Sequence, residues 1–411
     1  MDSTYWNVAD PLKLTSVNEA RLEFLARVTY ADLRFGSAEF RTRGWETDRG
    51  VVYIRYGPPP VIATFSPETA ELDDAERIGR VTYVWYYPET KLRFVFIGPP
   101  AMNYAFFAGD FRSYTENARH VAPVRWDNMT KSGRVDSIPV QVARFRADSG
   151  IATELSVFAD IPVGRMLQDV EISQVALETG LFVTDSRRRD VTSRRDTIIT
   201  RAAKSRPEMP RVWRQVLKPG DYVYRVESRE QASGRSARAL AMVDIADFPS
   251  NRFALSDVLV AERIEPRNPA LPPRGIGDYL IVPNAAMKFG PRDTVYLYWE
   301  VYGATGDTTG VGRLEVSLSL TVSALDRGRA IEARILGGIA DVTGLSAKGD
   351  ERVALRYDRT VAILPGNRIP NHLAVDIGEA PYGTYTLELT VRDLVSGATA
   401  TTQRILTLPR P

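Results

Sequence analysis

The residues of this chain that could do chemistry are carboxylates. Glu46 and Asp48 flank Thr47 in the stretch GWETDRGVVYIRYGPPP (44–60), and Glu71, Asp73 and Asp74 cluster in AELDDAERIGR (70–80). Paired carboxylates can share general acid and base work, as in glycoside hydrolysis, or bind a hard cation through oxygen. The alternating oxygen ligands and distal glutamate of a calcium loop are missing, however. The same residues have a conformational use. Thr47 and Asp48 can bond their own backbone in a turn while Trp45 buries its ring against a helix. Acidic turn residues are common and catalytic pairs rare, so the structural use is the expectation.

Composition removes other chemistries. The chain has no cysteine, which excludes disulfides, thiol nucleophiles and thiolate zinc sites. Its only histidines, His120 and His372, fall in different predicted domains, so neither a histidine triad nor a multi-histidine metal centre can form within one domain. The segment DSRRRDVTSRRDT (185–197) carries five arginines, which could hold phosphate or nucleic-acid backbone. Asp185, Asp190 and Asp196 interrupt it and no aromatic ladder accompanies it, so a solvated hairpin loop is expected. The glycine-rich GATGDTTGVG (303–312) lacks the Lys-Ser/Thr of a phosphate loop. Tyr104, Phe106 and Phe107 could stack on sugar faces, although core packing is expected for at least two of them. No catalytic residue, cofactor, metal or nucleic acid is expected.

Elements must position whatever site there is. At 411 residues the chain reads as about two to three domains, each able to bury a core without staples. With 53 basic against 51 acidic residues, the net charge of +2 gives no field that would hold a polyanion or a membrane surface. No apolar run reaches the ~20 residues of a spanning helix, and MDSTYWNVADP is not an export signal. Ser16 and Glu19 form a capping-box pair, and Val17, Phe24, Val28, Ala31 and Phe35 follow at helical spacing up to Gly36, a natural left-handed stop. From Val51 the period changes to two, predicting a strand through Tyr56 that Gly57 and Pro58 end. RVTYVWYY (80–87) and KLRFVFI (91–97) read as a hairpin, followed by an irregular polar stretch around 110–136.

After residue 137 strand patterns dominate: 138–147, 153–161, 180–185, 221–228 and 237–245, then 294–303, 313–325, 385–393 and 401–408. Between the two groups lies the proline-rich RIEPRNPALPPRG (263–275). The groups are related. PGDYVYRVESREQASGRSARALAMVDI aligns without a gap on YGTYTLELTVRDLVSGATATTQRILTL at a constant offset of 163 residues, placing Tyr222 on Tyr385 and Gly234 on Gly397. A Gly-Tyr entry, a Ser-Gly turn and a return strand describe the last hairpin of a sandwich, repeated in two modules. The expected fold is multidomain and mainly β: an N-terminal α+β domain with one amphipathic helix and an antiparallel sheet (1–136), an Ig-like β-sandwich (137–250), a connector (251–280) and a second Ig-like sandwich (281–411).

Gly44, Trp45, Thr47 and Asp48, with YWNVADP upstream, RVTYADLRF on the helix, DRGVVYIRYGPP downstream and the later VWYY and RFVFI strands, resemble the GWxTD-domain family of bacterial proteins over about the first 115 residues. The resemblance supplies no catalytic residue. It implies an extracytoplasmic home, in the periplasm, on the outer surface or secreted, often beside β-sandwich modules. The functional expectation is a non-enzymatic envelope or secreted component whose partners are other envelope or extracellular proteins or further copies of itself. The alternative is a carboxylate-dependent hydrolase, or a carbohydrate-active or glycan-binding protein using the N-terminal domain. The motif residues carried forward as structural are Gly44, Trp45, Thr47, Asp48, Arg49, Gly50, Gly57 and Pro58.

Overall fold

A computed structural model describes residues 3–38, 41–65, 81–98, 105–121, 136–148, 152–167, 175–200, 208–248, 252–267, 279–290, 293–323, 331–338, 345–349, 352–363, 368–377 and 382–408. The chain divides into two units, Met1–Val135 and Asp136–Pro411. Both are built on antiparallel sheet, and the molecule is mainly β.

The first unit holds helices α1 (Ser3–Ala9), α2 (Glu19–Phe35), α3 (Asp48–Tyr56) and α4 (Phe111–Val121) and strands β1 (Val61–Phe65), β2 (Val81–Tyr87), β3 (Leu92–Gly98) and β4 (Phe106–Phe107). The strands pair in the order β1-β2-β3-β4. The 80–97 hairpin forms as expected, running from Val81 opposite Gly98 to Tyr87 opposite Leu92. Its Trp85, Phe94 and Phe96 meet Ala31 and Phe35 of α2 and Val52 of α3 in one core.

Three local expectations are corrected here. Residues 51–56 are helix, not strand. Thr47 caps the helix by accepting the Gly50 N–H, Asp48 sits in its first turn, and Gly57 at φ 79 closes it with an N–H to the Tyr53 carbonyl. VVYIRY alternates, yet Val52, Tyr53 and Tyr56 also share the helical face that the core needs, and tertiary burial overrides the β-branched preference. Helix α2 is capped by Asn18, whose side chain accepts the Arg21 N–H, rather than by Ser16, and Gly36 ends it in extended backbone (φ −72, ψ 158). The unit is not a one-helix domain, because α1, α3 and α4 join α2 and part of the supposed irregular stretch is α4.

The second unit opens with β5 (Asp136–Ser137), β6 (Val140–Arg146), β7 (Thr153–Ile161), a short helix α5 (Val163–Met166), β8 (Val175–Asp185), β9 (Asp190–Thr200), β10 (Met209–Leu217), β11 (Gly220–Glu230) and β12 (Ser236–Ile245). It continues with β13 (Ala254–Leu255), β14 (Leu259–Pro266), β15 (Tyr279–Pro283), β16 (Thr294–Tyr302), β17 (Val311–Ser323), β18 (Ile331–Gly338), β19 (Ser346–Gly349), β20 (Arg352–Ala362), β21 (Arg368–Asp376), β22 (Gly383–Asp393) and β23 (Thr399–Leu408). The start of the proline-rich connector is therefore strand, with β14 paired to both β15 and β16.

The same plan is built twice. Sheet β10-β7-β6 faces β12-β11-β8-β9 across a core of Leu155, Val157, Leu181, Trp213 and Val226. In the same chain order, β21-β16-β14 faces β23-β22-β17-β20 across Leu297, Trp299, Leu318, Leu355 and Leu389. The hairpin alignment seen in the sequence holds in space, because every bound of the second hairpin lies 163 residues after its counterpart (220 and 383, 230 and 393, 236 and 399, 245 and 408). Gly234 and Gly397 take φ values of 70 and 77, which only glycine adopts freely, and their N–H groups reach the carbonyls of Glu230 and Asp393 at 2.9 and 2.8 Å.

The two halves of this unit stack through outward sheet faces. Ala143, Phe145 and Phe158 of one half pack on Leu259, Ala261, Ile264 and Tyr298 of the other. Four sheets thus lie in layers, and β16 is buried on both faces: Val295, Leu297, Trp299 and Val301 enter the core between its own two sheets, while Tyr298, Glu300 and Tyr302 are buried on the other face.

Candidate functional site

In the first unit the motif is a backbone joint. Asp32 of α2 accepts the Gly44 N–H at 2.9 Å and the guanidinium of Arg43. Gly44 starts a 3-10 turn (Gly44–Glu46) so close to α2 that an added Cβ would lie 1.8 Å from the Ala31 carbonyl oxygen. Gly50 presses on Gly44 in turn, its added Cβ falling 1.8 Å from the Gly44 oxygen. Thr47 ties the two, donating to the Gly44 carbonyl at 2.8 Å and accepting the Gly50 N–H at 3.1 Å. Gly57 ends α3 and accepts the Tyr87 hydroxyl at 2.9 Å, and Pro58 is exposed. Two features escaped sequence reasoning: Asp32 as the acceptor for the loop, and the glycine-on-glycine contact. The six-residue interval between Gly44 and Gly50 was the visible signal.

The carboxylates of the motif diverge. Glu46 accepts the Arg43 N–H at 3.0 Å, while Asp48 reaches the Phe107 N–H of β4 at 2.8 Å. Each completes main-chain hydrogen bonding, and they serve different donors. Glu71, Asp73, Asp74 and Tyr104 lie outside the described residues. Among the described residues, no group of three or more His, Asp or Glu side chains could hold a metal ion.

Trp45 departs from expectation, because the residue is 38% exposed rather than buried, with Arg43 4.2 Å from its ring centroid. It lines an open cavity of about 440 Å³ with Phe24, Val28, Val51, Ile54 and Arg55. Arg49 is the buried member, 6% exposed, its guanidinium between the rings of Phe35 and Tyr83 at 4.9 and 4.7 Å. Burial lowers its pKa against the favourable influence of Tyr83. Phe107 joins the aromatic core, while Phe106 is exposed.

His120 is exposed on α4, and His372 is half-buried on β21 beside Tyr279, ring centroids 4.8 Å apart. Burial and the charge of Arg359 lower the His372 pKa. The arginine-rich segment is only partly loop. Residues 186–189 turn, and Asp190 onward is the edge strand β9.

The densest polar chemistry lies between the stacked halves of the second unit. Glu300, 1% exposed, accepts the hydroxyls of Tyr298 and Tyr302 at 2.8 and 2.6 Å and faces Arg368 at 3.3 Å. Tyr302 also accepts the Arg146 N–H at 3.0 Å, and Arg368 donates to the Arg146 carbonyl at 2.6 Å, so the group joins both halves. Burial and the Glu300 carboxylate push both phenols up. Asp257 forms a second joint: Arg144 donates from its backbone N–H, Nε and a terminal nitrogen at 2.8, 2.9 and 2.8 Å, and Arg404 lies at 3.4 Å. Burial pushes the Asp257 carboxyl up, but the Arg144 hydrogen bonds and the charges of Arg404 and Arg144 hold it below the ordinary range. Gln141 makes a third joint, bonding the Val260 N–H and carbonyl and the Asn284 carbonyl at 2.8, 2.9 and 2.9 Å. These groups are spent on one another and on backbone, an arrangement that holds sheets in register.

One carboxyl at this boundary is pH-sensitive. Burial, then the charges of Glu208 and Glu262, push Asp160 up to about 6, against a hydrogen bond from the Ala285 N–H. The folded state therefore binds this proton more tightly than the unfolded chain, a contribution to stability that is full below about pH 4 and lost as pH rises through about 6. Asp160→Asn removes that loss. The difference in melting temperature, variant minus wild type, is expected to become more positive from pH 4 to pH 7.5, and a flat difference would refute the assignment.

No family model matches the chain, and no curated protein matches it. Among solved structures, the chain is similar to AvmM, described as catalysing macrocyclization in alchivemycin A biosynthesis, at 8% identity and a TM-score of 0.21, over 30% of this chain and 85% of that one. It is similar to the C-terminal domain of the Streptococcus pyogenes antigen I/II-family protein AspA at 8% identity and a TM-score of 0.18, over 67% and 100%. Escherichia coli alpha-2-macroglobulin activated by porcine elastase matches at 10% identity and a TM-score of 0.18, over 80% and 24%. At such scores these likenesses carry no argument about function.

Proposed function

We propose that the chain is a non-enzymatic component of a bacterial envelope or secreted assembly, in which a GWxTD-type first domain binds a protein partner and two Ig-like sandwich modules act as a stiff spacer. One observation carries the reading. Helix α2 packs Ala31 and Phe35 into the core, yet its opposite face presents Leu22, Leu25 and Leu33 at 53, 49 and 81% exposure. A solvated helix face is ordinarily polar, and a contiguous apolar one marks a contact surface. The buried joints of the second unit support the spacer role. The hydrogen bonds of Glu46 and Asp48 to main-chain N–H groups favour this reading over a carboxylate-dependent hydrolase. No helix among the described residues is long and apolar enough to cross a membrane.

The test is Leu25→Glu combined with Leu33→Glu in the full chain, isolated from its native envelope or secreted fraction. Melting should be unchanged within about 1 kcal/mol, because both side chains are already in water. Proteins that co-purify with the wild type should be lost. Retention of the same partners by the double variant would sink the proposal.

A further inference from the structure

The groove beside Trp45 is a different surface from the leucine stripe. Its walls, Phe24 and Val28 from α2 and Val51 and Ile54 from α3, are apolar, and Arg55 is its one charged lining residue. Arg55 is odd in two ways. Its Nη1 is buried without a hydrogen-bond partner, as is the hydroxyl of the adjacent Tyr56. No described carboxylate pairs with it, and burial, then the charge of Arg119 of α4, lowers the Arg55 pKa.

An unmatched buried donor costs stability, and two neighbouring guanidinium groups repel. A carboxylate on the guanidinium nitrogens of Arg55 other than the buried Nη1 would offset the repulsion, since arginine forks fit carboxylates. The groove's volume of about 440 Å³ and its apolar lining suit a few side chains of an amphipathic segment. We propose that the α2/α3 groove binds an acidic amphipathic segment of a partner polypeptide, its apolar side chains over Phe24, Val28 and Trp45 and a carboxylate on Arg55. Arg119 supplies the second positive charge to the same end of the segment.

The experiment uses the full chain and two fluorescein-labelled helical peptides, one of leucine, alanine and glutamate, the other with glutamine in place of each glutamate, with binding read by anisotropy at low salt. The acidic peptide should bind about tenfold more tightly than its neutral counterpart. Arg55→Gln should abolish that difference and leave the neutral peptide's affinity unchanged. Arg119→Gln, at an exposed position, should reduce the difference without any folding risk. Val28→Glu should weaken both peptides. Leu33→Glu, on the most exposed leucine of the stripe, should leave both unchanged, so loss of native partners through the leucine stripe and loss of peptide binding through the groove are separately visible. Equal affinity for the two peptides, or discrimination that survives Arg55→Gln, would overturn the proposal. So would the absence of peptide discrimination alongside Arg55-dependent sedimentation with phosphatidylglycerol vesicles, which would make the groove a membrane contact instead.

Discussion

Gly50→Ala is expected to destabilise the first unit by more than about 3 kcal/mol, and Gly44→Ala by a similar amount. The reason is steric and local. A methyl group at Gly50 would lie 1.8 Å from the Gly44 carbonyl oxygen, and one at Gly44 would lie 1.8 Å from the Ala31 oxygen and 2.4 Å from the Asp32 Cα. Every clashing atom is backbone in a helix or turn, so no side chain can swing aside. Relief requires α3 and the 3-10 turn to move off α2, which breaks the Thr47 and Asp32 hydrogen bonds and opens the core at Val52. Limited proteolysis followed by mass spectrometry should find new cuts within the first unit, while the second unit keeps its wild-type pattern. A Gly50→Ala protein that melts within about 2 °C of wild type would show that this contact does not govern the fold.

The second large effect is expected at Glu300. Glu300→Ala leaves two buried phenols and Arg368 without their common acceptor, and breaking a buried charged pair from one side costs about 3–5 kcal/mol. Glu300→Gln should lose less, because the amide can still accept one hydroxyl hydrogen bond. Urea unfolding followed by tryptophan fluorescence is the measure, since Trp299 sits in the same strand and is fully buried. In a double-mutant cycle with Arg368→Ala, the second change should cost much less in the Glu300→Ala background than in wild type. Additive losses would mean that the two residues act separately and that the joint is not a unit.

Hairpins were the most legible part of this chain. The β2/β3 and β22/β23 pairs announce themselves by alternation broken at short turns, and the 163-residue repeat follows from turn chemistry that glycine imposes locally. The edge strand β9 carries Arg194, Arg195 and Asp196 on exposed positions and reads as loop, whereas β10, with Pro210, Val212, Arg214 and Val216 exposed against buried Trp213 and Leu217, had no strand expectation at all. Helix α4 was hidden in a polar stretch, although Phe111, Tyr114 and Ala118 recur at helical spacing toward the core. Residues 51–56 differ for another reason: VVYIRY suits both periods, and the Thr47 cap, the Gly57 stop and burial of one helical face decide for helix.

At the motif, the sequence alone marked the residues but not their use. Thr47, Gly50 and Gly57 act within a few positions of themselves, through caps and close backbone approach, so residue type and spacing sufficed to pick them out. Trp45 did not follow its type, because whether a tryptophan is buried depends on what packs over it. Asp32, Glu300, Asp257 and Arg55 were invisible as special residues. Each takes its meaning from partners distant in the chain or from the lack of one among the described residues: Gly44 for Asp32, Arg368 for Glu300, Arg144 for Asp257, and no hydrogen-bond partner for Nη1 of Arg55. Local conformational energy is written in consecutive residues, whereas the desolvation and pairing of a charge depend on which segments folding brings together, and only the tertiary structure decides that.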